Sequence, residues 1–219
     1  ITETAKPRIN PDMFECSIAN KGNDIFVWSD RTGWGHIYHY DGQGRLLNPA
    51  TSGEWTAGHI CAIDEKAKTL FFYGYGHEAR RDPYYQHLYR VGFNGKALKL
   101  LTPENAEHKS FVSPNCEIIV DNYSTVSNAP VIVVRDANGK MLDLLEKSDV
   151  SKLYAYGWKA PEQFKIKAAD GKTDLYGLMW KPYDFNPSRK YPIISQVYPG
   201  PFTETVWNDF TVFDKYHNA

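Results

Sequence analysis

Few side chains in this 219-residue chain are equipped for covalent chemistry, and none stands in a pattern that completes a site. No serine lies in Gly-x-Ser-x-Gly, the strand-turn-helix elbow that exposes a nucleophilic hydroxyl. Ser195 sits in an Ile/Val-rich run and is followed by Gln196-Val197 rather than a turn, so it reads as an ordinary strand residue. His36 and His39 invite a metal reading, but residues three apart on a strand face opposite ways and cannot share one ion. They read as structural, and no metal is expected. Cys16, Cys61 and Cys116 are widely separated with no Cys-x-x-Cys pair, and each reads as a buried free thiol. Glu65 and Glu78 are isolated acids, read as solvated. The stretch from Gly74 to Tyr85 is different: it gathers Tyr75, Arg80, Arg81, Tyr84 and Tyr85 in one loop. Such a loop could touch a substrate or simply cover a sheet edge, and both readings stay open. Asn122-Tyr123-Ser124 fits a glycosylation sequon, which matters only in a eukaryotic secretory host.

The elements that position these residues are short strands. Aromatics make up 15% of the chain, with 15 Tyr and 6 Trp, and 13 Pro and 16 Gly are scattered throughout. That mixture favours strands and turns over long helices. A net charge of -1 with interspersed signs argues against a nucleic-acid or membrane surface as main partner. No run approaches the roughly 18 apolar residues of a membrane helix. The start, Ile1-Thr2-Glu3-Thr4, has no leader features, and the true N-terminus is expected elsewhere.

Three stretches share one plan of four strands. They are Met13–Ser17, Asp24–Ser29, His36–Asp41 and Arg45–Asn48; then Gly58–Ile63, Thr69–Tyr75, Gln86–Gly92 and Lys96–Leu101; then His108–Val112, Cys116–Ser124, Pro130–Arg135 and Lys140–Leu145. Each third and fourth strand is joined by a turn that carries a glycine at the same place: Asp41-Gly42-Gln43-Gly44, Phe93-Asn94-Gly95-Lys96 and Asp136-Ala137-Asn138-Gly139. Gly44, Gly95 and Gly139 are 51 and 44 residues apart, a period that signals propeller blades. A β-sandwich is the alternative, and the matched turns favour the propeller. Three blades do not close a ring, so further blades are expected before Ile1.

After Leu145 the rhythm stops. Ser148–Tyr154 suggests one or two helical turns, and Glu162–Ala168 with Leu175–Lys181 forms a hairpin around Ala169-Asp170-Gly171-Lys172. A proline-flanked loop follows. Tyr191–Tyr198 then reads as a strand buried on both faces, stopped by Pro199-Gly200-Pro201.

Asp24-Ile25-Phe26-Val27-Trp28-Ser29-Asp30-Arg31-Thr32-Gly33-Trp34-Gly35-His36-Ile37-Tyr38 resembles a propeller stretch of dipeptidyl peptidase IV-like serine peptidases, of the prolyl oligopeptidase family. Gln86–Val91 and His108–Pro114 resemble the next two blades, and Lys190-Tyr191-Pro192 with Val197-Tyr198-Pro199-Gly200-Pro201 resembles the opening of the hydrolase core. The fold this implies is mainly β: a partial propeller of about three four-stranded blades over 1–147, a linker over 148–160, and the first strands of an α/β-hydrolase domain over 161–219.

The resemblance also implies a serine exopeptidase that frees N-terminal di- or tripeptides, often after proline, with the propeller gating access. Its Ser–Asp–His triad would lie outside this segment, which is therefore expected to be inactive alone. One oxyanion donor, a tyrosine hydroxyl, would fall on Tyr198. Pro199 departs from the usual small residue and removes a backbone N–H there. Expected partners are a peptide substrate, the missing blades and hydrolase core of the same chain, and a homodimer mate; no nucleic acid, cofactor or membrane segment is implied. The compartment implied is secreted, periplasmic or cell-surface. The rival is a catalytically dead relative that acts as a protein- or peptide-binding module.

Overall fold

In this computed structural model residues 13–197 and 206–212 are described. They fall into two compact units, one of residues 13–123 and 132–146, the other of residues 124–131, 147–197 and 206–212.

The first unit is built from three antiparallel four-stranded sheets. The first holds β1 (Cys16–Ala19), β2 (Asp24–Ser29), β3 (His36–Asp41) and β4 (Leu46–Pro49). The second holds β5 (Thr56–Asp64), β6 (Thr69–Tyr75), β7 (His87–Gly92) and β8 (Lys99–Leu100). The third holds β9 (Glu107–Val112), β10 (Ile118–Ser124), β11 (Val131–Asp136) and β12 (Met141–Lys147). Within each sheet the spatial order is the chain order, which is the meander of a propeller blade. The chain is thus mainly β, with three blades of a partial propeller.

The repeated turn is the same structure three times. Gly44, Gly95 and Gly139 adopt φ of 78°, 75° and 80°, a region open to glycine at no steric cost. Each donates its N–H to the residue three back: Asp41 O at 2.9 Å, Gly92 O at 2.8 Å and Asp136 O at 2.9 Å. In the outer two turns the aspartate Oδ1 accepts two further N–H groups, from Gln43 and Arg45 and from Asn138 and Lys140.

Apolar residues from facing sheets fill the space between blades. Phe26, Ile37 and Ala50 of the first blade pack with Trp55, Leu70, Phe72, Tyr89 and Phe93 of the second. Between the second and third blades Phe71, Leu88 and Leu101 meet Cys116 and Ile119. Strand β12 is exposed along its whole length.

The second unit contains a short helix α1 (Ser151–Ala155) and a hairpin of β13 (Glu162–Lys167) and β14 (Asp174–Met179). Of Tyr191–Tyr198, expected to be a doubly buried strand, the described residues 191–197 pair with no described strand, and Ile193 and Ile194 are 93% and 94% exposed. A strand is defined by neighbours that accept its ladder bonds, and none of the described strands lies beside it. The cysteines also depart from expectation: all three are free, but only Cys116 is buried, while Cys61 is intermediate and Cys16 is exposed.

Candidate functional site

The loop from Gly76 to Gln86 joins β6 to β7 and carries most of the residues singled out from sequence. Arg81 clamps it to the following blade connection, donating to Pro103 O at 2.8 Å and Glu104 O at 3.3 Å. Tyr75 donates its hydroxyl to Gln86 Oε1, and Tyr85 is buried. Arg80, at φ 66°, and Tyr84 are the two that present themselves to solvent. Three of the five thus hold the loop and two lie on its surface. Tyr198 lies outside the described residues. Asn122 is half-buried within β10.

Glu78 is not a solvated acid. It accepts from the Tyr89 hydroxyl at 3.0 Å and pairs with His77 Nδ1 at 2.8 Å. Burial raises its carboxyl, but these two bonds outweigh it and hold the group below its usual value. Glu65 accepts the backbone N–H of Asn20.

The two histidines of β3 are separately bound, on opposite faces of the strand. His36 contacts Thr51 Oγ1 at 3.1 Å and Gly53 O at 3.0 Å, while His39 Nε2 meets Asp24 Oδ1 at 2.6 Å. One blade on, His87 Nδ1 meets Thr102 O at 3.1 Å, and the Thr102 hydroxyl accepts from Leu88 N just as that of Thr51 accepts from Ile37 N. Both members of the pair recur at the 51-residue spacing of the turn glycines, from His36 to His87 and from Thr51 to Thr102. That repeat was a signal open to sequence reading.

His87 is 2% exposed and its ring lies 5.1 Å from that of His108. Burial first, then the nearby His108 and Arg81, push its pKa down to about 4 from 6.5. The unfolded chain therefore takes up a proton below pH 6.5 that the native state refuses until about pH 4. Stability falls as pH drops through that window, by up to about 3 kcal/mol. His87→Gln is expected to flatten that slope in chemical denaturation series between pH 7 and 4; an unchanged slope would assign it to other groups.

The largest polar cluster was not foreseen. His108, at the start of β9, and Asp121, in β10, are both fully buried and lie 3.0 Å apart. Ser110 donates to Asp121 Oδ1 at 2.9 Å. Arg135 of β11 donates Nε to Asp121 Oδ2 at 3.0 Å and Nη2 to Glu104 Oε2 at 2.6 Å. Burial raises the Asp121 carboxyl, yet His108, Ser110 and the Arg135 charge hold it below the usual carboxylate range. A His–Asp pair next to a serine suggests a triad, but the connections are wrong for one. The serine bonds the carboxylate, and the second ring nitrogen of His108 faces Glu104 O at 3.0 Å. Among the described residues no nucleophile meets the imidazole, so general-base activation has no object there. Glu104, His108 and Asp121 also lie close enough together to offer three metal donors. Arg135 already spans both carboxylates and supplies the balancing positive charge, which fits a structural tie between strands.

Three successive meander blades, tied by buried polar pairs and carrying one long loop, define a propeller module. Residues 2–131 match the family described as the dipeptidyl peptidase IV (DPP IV) N-terminal region, and the chain belongs to that family. It is 28% identical over 172 residues to dipeptidyl peptidase 8 of Homo sapiens, covering 73% of this chain and 19% of that protein. It is 29% identical over 197 residues to dipeptidyl peptidase 4 of Trichophyton rubrum, covering 85% of this chain and 25% of that one. The solved structure of Porphyromonas gingivalis dipeptidyl peptidase 4 superposes with a TM-score of 0.76 at 25% identity, over 92% of this chain and 28% of that chain. The chain therefore spans about a fifth to a quarter of the length of the curated relatives it matches.

Proposed function

We propose that this chain is a segment of a serine-type exopeptidase that releases dipeptides from peptide N-termini. The observation that carries the reading is that the likeness to a solved dipeptidyl peptidase 4 covers 92% of the chain, running past the family match at residue 131 into the second unit. In this reading residues 1–147 belong to the propeller, 148–160 form a linker and 161–219 open the α/β-hydrolase domain. The propeller gates substrate access, and Arg80 and Tyr84 offer the loop's cationic and aromatic surface to a passing peptide. The tyrosine at position 198 donates its hydroxyl to the oxyanion of the tetrahedral intermediate. The enzyme acts outside the cytoplasm.

A chromogenic Gly-Pro anilide tests the reading. The protein carried on to the length of its relatives is expected to release the chromophore, and the 219-residue chain, which has no Gly-x-Ser-x-Gly, is expected to release none. Turnover by the short chain, or none by the long one, would overturn it, the latter in favour of a binding module. In the long chain Tyr198→Phe is expected to lower kcat by about 10²–10³-fold with KM little changed, the usual cost of one lost oxyanion donor. An unaltered kcat would remove Tyr198 from the chemistry.

A further inference from the structure

His36 and His87 stand at matching places in successive blades, yet their Nε2 atoms meet opposite partners. In the first blade His36 Nε2 faces Gly53 O at 3.0 Å, so that nitrogen carries its proton. In the second blade His87 Nδ1 donates to Thr102 O at 3.1 Å, which leaves Nε2 of the neutral ring as an acceptor. Nη1 of Arg81, a cation that can only donate, lies 3.5 Å from it. The same guanidinium ties the loop of residues 76–86 to the next blade connection, through Pro103 O at 2.8 Å and Glu104 O at 3.3 Å.

The segment that Arg81 holds is strained. Arg80 adopts φ 66°, a left-handed conformation unfavourable for a residue with a Cβ. Other ties lie towards the loop's ends: Glu78 accepts from the Tyr89 hydroxyl, Gln86 accepts from Tyr75, and the Gln86 N–H donates to Glu107 Oε2 at 2.8 Å. Residues 79–84 lie between those ties, with Arg81 in their midst.

We propose that Arg81 and His87 form a proton-operated latch on this loop. A proton taken up from solvent at His87 Nε2 turns the acceptor into a donor and sets two like charges side by side. The guanidinium then leaves both carbonyls, and the middle of the loop lifts. His87 is 2% exposed, so the proton enters once Arg81 has swung aside and thereafter holds the loop open. The ionisable groups around the ring are Arg81 and Glu78 of the loop and His108 of β9; behind His108 stand Asp121 of β10, Arg135 of β11 and Glu104. Burial, then His108 and Arg81, push the closed ring's pKa down to about 4, with Glu78 opposing them. Opening removes Arg81 and admits water, which returns that pKa towards 6.5, so lowering the pH through this window favours the open form. The latch lies within the first unit and is independent of any peptidase chemistry.

Amide hydrogen exchange read by mass spectrometry at pH 6.5 and 4.5, corrected for intrinsic rates, tests this. Residues 79–84 are expected to open about tenfold more at the lower pH, while β6 and β7 keep their protection. His87→Gln should abolish that response and leave the loop equally closed at both values. Arg81→Gln should open the loop about tenfold at pH 6.5 already. It should also raise the His87 midpoint in a proton NMR titration, a shift that a merely structural anchor would not produce. His77→Gln, which removes the loop's own histidine, should keep the wild-type response. Equal protection of 79–84 at both pH values, exchange that rises as much in β6 and β7, a response that survives His87→Gln, or an unmoved His87 midpoint in Arg81→Gln would each overturn the latch.

Discussion

Arg135→Met is expected to cost the first unit about 3–5 kcal/mol, because it strands a buried carboxylate rather than merely deleting a bond. Arg135 is 1% exposed and Asp121 is fully buried, so water cannot replace the lost guanidinium. The remaining neighbours, His108 and Ser110, give Asp121 hydrogen bonds without a permanent charge. The sign of the pH dependence separates this account from simple loss of packing. In the native protein the Asp121 carboxyl is held below 3.8, so it adds stability above that value which is lost as pH falls through its lower folded pKa. Without Arg135 that pKa rises, and protonation of Asp121 relieves the defect. The gap between variant and wild type in urea denaturation should therefore narrow as pH is lowered towards 4. Replacing both partners, as Arg135→Met with Asp121→Leu, should recover much of the loss, since an apolar pair carries no desolvation debt. A gap independent of pH, with no recovery in the double variant, would show that Arg135 matters only for its volume.

Trp55→Ala is expected to be as damaging, about 3–5 kcal/mol, for an apolar reason. Trp55 is 5% exposed and lies between blades, its ring 6.2 Å from Phe72, 5.9 Å from Tyr89 and 5.4 Å from His36. Its Nε1 donates to Ser52 O at 2.8 Å, which fixes the indole plane. Truncation opens a void bounded by aromatic rings that cannot collapse without shifting whole strands, the case in which a cavity costs most. Trp55→Phe should cost far less, because it keeps most of the contact and loses one hydrogen bond. Thermal denaturation decides: at about 2–4 °C per kcal/mol for chains of this size, the alanine variant should melt on the order of 10 °C lower. A shift within the range of an exposed substitution would refute the interblade role.

Most of the blade architecture was legible because it rests on local chemistry. The turn that ends at Gly44, Gly95 and Gly139 needs a positive φ and an acceptor three residues back, both written in a few adjacent residues. The cluster of Glu104, His108, Asp121 and Arg135 was not, because its members come from three neighbouring strands and the connection that precedes them, up to 31 residues apart, and meet only once the sheet is assembled. Tyr191–Val197 was overread for the complementary reason. A run of Ile and Val states that a segment is apolar, but not which strands flank it. The Gly76–Gln86 loop fell between these cases: its composition marked it, while only the structure separates Tyr75, Arg81 and Tyr85, which anchor it, from Arg80 and Tyr84 on its surface.

The strand order within each blade has a consequence for how the chain reaches this form. Every ladder joins a strand to its immediate successor, so each sheet can zip from its own hairpins, closing loops whose entropy cost grows only slowly with length. Such contacts are near in sequence, the regime in which β proteins fold fastest. The slow events are then the meetings between sheets, where Phe26 and Phe93 join one pair of blades and Leu88 and Ile119 the next. Assembly along the ribosome can proceed a blade at a time, each completed sheet serving as the template on which its successor docks.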